Sequence, residues 1–271
     1  MLRVNVSIFF ITVCLSGFAQ GSIDLTPSFK KGEEKKYSVR YTTKSPAQAP
    51  YQIFSSTKKD IIIKVVDVRN GGTMDLEWVY ANVIFTDSIP QFNPIMDLIN
   101  TLSKGLTVKY TTDGSGRIKS VTNYKEITTV LNHRIDSLIS LMSRDKSIAS
   151  SLVESTKFQL QMMLSTEQQI DQIVIGDVFK FHEPYGNSFS TNANTLIDAS
   201  DPATDKYETR LVSVKSNSCQ LDGVLIDSKR KGHKSYDFQV PSYWLIRHSY
   251  RLDTKAPMSV HQSYEIKAVR N

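Results

Sequence analysis

The feature that most constrains this chain is a pair of alternating apolar runs joined by Asn70-Gly71-Gly72. The first arm places Ile61, Ile63 and Val65 on one side and Ile62, Val66 and Val68 on the other. The return arm carries Met74, Leu76, Trp78 and Tyr80 on one face, with Val79, Ala81, Val83 and Phe85 opposite. Side chains along a strand alternate between faces, and Asn and Gly tolerate the positive φ of a tight hairpin turn. Apolar residues on both faces of the return arm predict a strand covered on both sides, at the centre of a sheet.

Other segments repeat the period of two. Tyr37, Val39 and Tyr41 alternate with polar residues. Leu106–Tyr110 and Arg117–Val121 flank Asp113-Gly114-Ser115-Gly116, a composition that favours a hairpin turn. Asp177, Phe179 and Phe181 alternate with Val178 and Lys180, so strands are expected to resume there. Two more hairpins are expected, from Tyr207–Val214 with Cys219–Ile226 and from Tyr243–Leu252 with Met258–Val269. The stretch from Glu183 to Asp205 reads as a long exposed loop.

Between these β regions the period changes. Ile127, Val130, Leu131, Arg134, Ile135, Leu138, Leu141 and Met142, then Ala149, Leu152, Val153, Thr156, Leu160, Met163 and Leu164, recur at helical spacing. The polar run Ser143–Ser147 separates them, and Pro94–Lys104 reads as a further short helix. The expected fold class is α+β: a large curved antiparallel sheet, open and half-barrel-like, packed on an inserted pair of central helices. One domain is expected over residues 20–271, with the helical insert at about 125–172. A weak internal echo links Lys31-Gly32-Glu33 before Tyr37 with Ile175-Gly176-Asp177 before Phe179.

Residues 1–19 read as a signal peptide. Arg3 supplies a basic start, Val4–Leu15 an apolar run, and Gly17-Phe18-Ala19 the small residues of a cleavage site. A lipidated Cys14 is the competing reading, but Val13 precedes it and the apolar region continues beyond it. The run is too short for a transmembrane anchor, so the mature chain is expected to carry none and to act in the periplasm or outside the cell. Removing Arg3 lowers the formal charge of +6 by one. The basic pairs, Lys58-Lys59 and Lys229-Arg230-Lys231 among them, are dispersed as on solvated strand edges. With export expected, nucleic acid is not an expected partner. Cys219 would be the single cysteine of the mature chain, on an apolar strand face with Leu221 and Leu225.

No motif calls for a cofactor or a catalytic centre. His182-Glu183-Pro184 lacks the second histidine of a zinc-protease helix, and Asp75 and Glu77 read as a solvated strand face. One histidine stands apart. His248 alternates with Trp244, Ile246, Tyr250 and Leu252 on the apparent inner face of a strand, where an imidazole needs a partner or stays neutral. The candidate ligand-binding residues are therefore His248, Trp244 and Tyr250, with Trp78 on the apolar return arm and Met163 on the Met-rich helix. The expected function is a non-enzymatic envelope protein that binds an apolar or amphiphilic ligand between sheet and helices. A structural module binding another envelope protein, and a hydrolase with an unrecognised site, are the other readings.

Several short motifs resemble a family of uncharacterised secreted proteins common in Bacteroidetes, a domain of unknown function. They are Phe29-Lys30-Lys31-Gly32-Glu33 through Tyr37, Val65-Val66-Asp67-Val68 with Gly71, Asp113-Gly114 with Arg117-Ile118, and Val174-Ile175-Gly176-Asp177-Val178-Phe179. Where that family shows Gly-Asp-Ser-Trp, this chain has Val178 and Phe179. The resemblance implies export and a large twisted sheet on helices, similar in shape to periplasmic lipoprotein carriers, and it transfers no site.

Overall fold

The computed structural model describes residues 21–45, 52–87, 101–146, 148–198, 205–227, 230–254 and 260–269. Residues 1–19, and all but the end of 94–104, lie outside the described residues. Among the described residues the architecture is an open antiparallel sheet of eleven strands with four helices, and a separate two-stranded sheet. The small sheet pairs β1 (Ser22–Asp24) with β7 (Ser188–Ser190).

The large sheet has two meanders that meet in its middle. From β2 (Glu34–Ser45) it runs outward through β3 (Gln52–Val68), β4 (Met74–Asp87), β5 (Thr107–Thr112) and β6 (Ile118–Val121). On the other flank of β2 lies β13 (His261–Ala268). Beyond it follow β12 (Trp244–Thr254), β11 (Arg230–Gln239), β10 (Ser218–Leu225), β9 (Lys206–Val214) and β8 (Thr195–Asp198). The two edges are thus β6 and β8. The chain between them carries every described helix: α1 (Tyr124–Arg144), α2 (Ser150–Met163), α3 (Glu167–Ile173) and α4 (Gly176–His182).

One face of the sheet is buried. Tyr37, Val39, Ile61, Ile63, Trp78, Tyr110, Leu221, Phe238 and Ile266 are each at most 1% exposed. Full burial of such side chains contributes roughly 1.5–3 kcal/mol each. The opposite face is open to solvent, with Val66, Val68 and Ile84 exposed. Two-sided coverage of the return arm is therefore corrected. A β-bulge between Asp60 and Ile61 moves the β4 partner from Asn82 to Tyr80, so the buried positions shift from Tyr80 to Val83. One extra residue reverses the side-chain parity, and the arm looks apolar on both faces although only one is packed.

α1 and α2 form where the periodicity predicts, burying Ile127, Leu131, Ile135, Leu138 and Met142 on one and Val153, Thr156 and Leu160 on the other. Asn123 fixes the start of α1 to β5. Its Oδ1 accepts from Lys109 N at 2.8 Å and its Nδ2 donates to Thr107 O at 2.9 Å. The helical segment runs on past residue 172, through a Thr166/Gln169 capping box into α3 and then α4.

The strand expected around Val178 is thereby corrected to helix. Val174, Ile175, Val178 and Phe181 are all buried, a helical spacing of one, four and seven. Asp177 sits in the first turn and Lys180 and His182 in the last, as a helix dipole favours. The internal echo fails at this point, since Lys31-Gly32-Glu33 leads into a strand and Ile175-Gly176-Asp177 into a helix. The expected exposed loop is corrected too: β7 and β8 lie within it, and Tyr185, Phe189 and Ile197 are buried. β11 was not legible as a strand, because its inward positions begin with Gly232 and Lys234.

Side chains of α4 contact several strands. The Phe181 ring meets Tyr37 of β2 at 5.4 Å and Trp78 of β4 at 5.6 Å. His182 Nδ1 donates to Gly116 O at 2.8 Å, so its Nε2 accepts the Tyr110 hydroxyl at 2.9 Å. This neutral tautomer, fully buried, has its pKa lowered to about 4 by desolvation. Tyr185, just past α4, touches both flanks of the sheet. Its hydroxyl donates to Tyr243 O at 2.8 Å, in the β11–β12 turn. Its other end lies against Gly116 of the β5–β6 turn, where an added β-carbon would stand 3.1 Å from Tyr185 Cβ and 2.5 Å from Pro27 Cγ. Gly116 also has φ of 90°, so only glycine meets both demands.

Cys219 is buried on the inner face, and burial pushes its thiol up to about 12. The folded protein is expected to leave Cys219 unmodified by a thiol-disulfide reagent at pH 8 and to react fully in denaturant. Rapid labelling of the native chain would contradict this packing.

Candidate functional site

Two adjoining cavities lie between α4 and the inner face of the sheet, of about 350 Å³ and 360 Å³. They share Tyr41, Thr43 and Lys180 as a common wall. Their position follows from a polar stripe on α4. Asp177, Lys180 and the following Glu183 recur every three residues, close to one helical turn, while Val178 and Phe181 face the core.

Each member of the stripe meets a different strand. Lys59 of β3 donates to Asp177 Oδ2 at 2.7 Å, with side chains 11% and 1% exposed. Lys180 donates to the Tyr41 hydroxyl of β2. Lys234 of β11 donates to Glu183 Oε1, and the Tyr236 hydroxyl to Glu183 Oε2 at 3.3 Å. Tyrosine rings enclose the three ammonium groups. Lys59 Nζ lies 5.2 Å from the Tyr80 ring, Lys180 Nζ 4.8 Å from Tyr41 and 5.1 Å from Tyr264, and Lys234 Nζ 4.0 Å from Tyr207. Such cation–π contacts strengthen where water is excluded. At the mouth, Arg230 Nη2 bonds Asp205 Oδ1 at 2.6 Å.

His248 lines the second cavity and is 1% exposed. Its ring stacks on Tyr236 at 4.3 Å and meets Tyr264 edge-on at 5.5 Å. Neither ring nitrogen has a hydrogen-bond partner among the described residues. Burial holds its pKa well below the ordinary value, and Lys234 and Lys180 add to the effect. The imidazole is therefore neutral, with one donor and one acceptor. Burial, and next the nearby Asp177 carboxylate, raise the Tyr264 hydroxyl, which stays protonated.

Of the five candidate residues, the cavity brings together His248 and Tyr250. Trp244 sits elsewhere, stacked on Phe29 at 3.7 Å and donating to Glu33 Oε2 at 2.9 Å. Trp78 is core beneath Phe181, and Met163 packs into the core at the end of α2. The inner face expected for β12 is also corrected. A bulge opposite Asp237/Phe238 leaves Ile246 exposed while Trp244, Leu245, His248 and Leu252 are buried. The cavities are lined by charged and aromatic side chains rather than by a continuous apolar wall. Lys59, read from sequence as part of a solvated pair, is buried.

Lys59 and Lys234 each hold inward parity, with Ile61 and Ile63 or with Tyr236 and Phe238. A lysine on the buried phase of a strand is the sequence signal of such a buried charge. Among the described residues no group of three or more His, Cys, Asp or Glu could hold a metal ion. No described helix is long and apolar enough to cross a membrane.

The buried histidines set the acid behaviour. An unfolded histidine takes up its proton near pH 6.5, whereas folded His182 does so at about 4. Across that window the unfolded state binds more protons, so the stability tied to a neutral His182 is lost as pH drops from about 6.5 to about 4. His182 alone accounts for roughly 3 kcal/mol of loss, and His248 acts in the same direction. Urea midpoints at pH 7.5 and 4.5 measure it; equal midpoints would contradict two neutral buried imidazoles.

No family model matches this chain, and no curated protein matches it. Solved structures similar to it include one called "Asymmetric conductivity of engineered proteins", with a TM-score of 0.25 and 7% identity over 88% of this chain and 99% of that one. A triple mutant of Rh. blastica porin has a TM-score of 0.26 and 6% identity, with the same coverage.

Proposed function

We propose that this chain is a non-enzymatic ligand-binding protein of the cell envelope, holding a small amphiphilic molecule in the cleft between α4 and the sheet. The observation that carries the reading is His248, a buried imidazole with two unpartnered nitrogens in the wall of a 360 Å³ cavity. Leaving a buried polar group unsatisfied costs about 1–3 kcal/mol, a cost that a bound ligand removes. The apparent leader, residues 1–19, supports placement in the envelope.

The same reading takes the sheet to be strongly curved around α4. Tyr185 links the β5–β6 turn to the β11–β12 turn, and β4, β3, β2 and β13 lie between β5 and β12. In a flat sheet those five spacings measure roughly 24 Å, several times the length of a tyrosine side chain. Curvature turns the inner face into a trough, and α4 leaves part of it unfilled.

Native mass spectrometry of the full chain purified from the envelope tests the reading. A fraction carrying a defined extra mass, absent from His248→Phe, is expected. A single apo mass from envelope and refolded material alike would overturn it.

A further inference from the structure

We propose that the part of the ligand lodged against His248 is a neutral polyhydroxylated group of the sugar or polyol class. This rests on the ligand-binding reading and specifies its chemistry. Charge is the first argument. Four cationic side chains line the two cavities, and three of them, Lys59, Lys234 and Arg230, already share a carboxylate. The fourth, Lys180, bonds the Tyr41 hydroxyl and lies over two rings. An added ion would forfeit its hydration in a cleft where each of these four cations already holds a partner, so an uncharged guest is favoured.

Hydrogen bonding is the second argument. A neutral imidazole offers one donor and one acceptor, and its ring is positioned by Tyr236 and Tyr264 rather than by polar contacts. A purely apolar guest leaves both nitrogens unsatisfied, and a carboxylate answers only the donor. A hydroxyl group donates and accepts through one atom, so adjacent hydroxyls satisfy His248 in either tautomer. The Glu183 and Asp205 carboxylates accept further hydroxyl protons, while Tyr250 and Leu252 offer surface to the C–H face of a sugar ring. The volume, about 360 Å³, suits one or two such rings.

The test titrates the full chain with glucose, galactose and maltose, and in parallel with inorganic phosphate and with octanoate, followed by calorimetry and by the His248 ring signals in nitrogen-15 NMR. At least one saccharide is expected to bind and shift those signals, with neither anion competing. His248→Phe keeps the aromatic stack and removes the unsatisfied nitrogens, so it is expected to melt no lower than the parent and to lose at least tenfold in saccharide affinity. Binding of octanoate or phosphate without any saccharide would overturn the sugar class and leave the ligand-binding reading standing. Failure of all five probes, or full saccharide affinity in a folded His248→Phe, would overturn the inference; a defined adduct on envelope-purified chain would still separate that failure from the failure of ligand binding itself.

Discussion

Phe181→Ala is expected to destabilise the protein by about 3–5 kcal/mol, among the largest effects available from a single truncation. The ring is fully buried and meets Tyr37, Trp78, His182 and Tyr185 at once. These neighbours come from β2, β4, α4 and the segment just past it, so no single element can move in to fill the space. Urea unfolding measures the change. Phe158→Ala on α2 is the matched control, because Phe158 is 65% exposed and its loss is expected to stay within about 0.5 kcal/mol. A small effect at Phe181 would mean that α4 does not seat on the sheet.

The second large effect is electrostatic. Asp177→Ala leaves the buried Lys59 ammonium without its carboxylate, and breaking a buried pair from one side costs about 3–5 kcal/mol. Replacing both partners, Lys59→Met with Asp177→Leu, removes the uncompensated charge along with the bond. The double variant is expected to recover most of the loss, because paired buried ions repay little beyond their own desolvation. Denaturation of Lys59→Met, of Asp177→Leu and of the double completes the cycle. If the double variant were as unstable as Asp177→Ala, the pair would be acting through packing rather than charge.

The parts of this fold that could be read in the sequence are those where one local rule acts alone. The Asn70-Gly71-Gly72 and Asp113–Gly116 turns, and the stripes of α1 and α2, each carry an uninterrupted period. Reading failed where two rules overlapped. In β4 and β12 a bulge reversed the parity, so Val83 and Leu245 are buried out of phase with the residues before or after them. At α4 only seven residues were available, too few to separate a period of two from one of 3.6. That short helix carries the polar stripe, so misreading it concealed Asp177, Lys180 and Glu183 together. His248 was legible because its own stretch of β12 keeps phase with Tyr250 and Leu252. Its cavity was not, since the rest of the wall comes from α4 and from Lys234 on β11.

The most direct test of the central claim, that one sheet wraps around α4 until its two flanks reach the same side chains, is the set of through-space proton contacts made by Tyr185. The account predicts cross-peaks from Tyr185 to Gly116 in the β5–β6 turn and, from the same ring, to Tyr243 and Phe238 at the β11–β12 end. Contacts to one flank alone, with the other beyond reach, would contradict it.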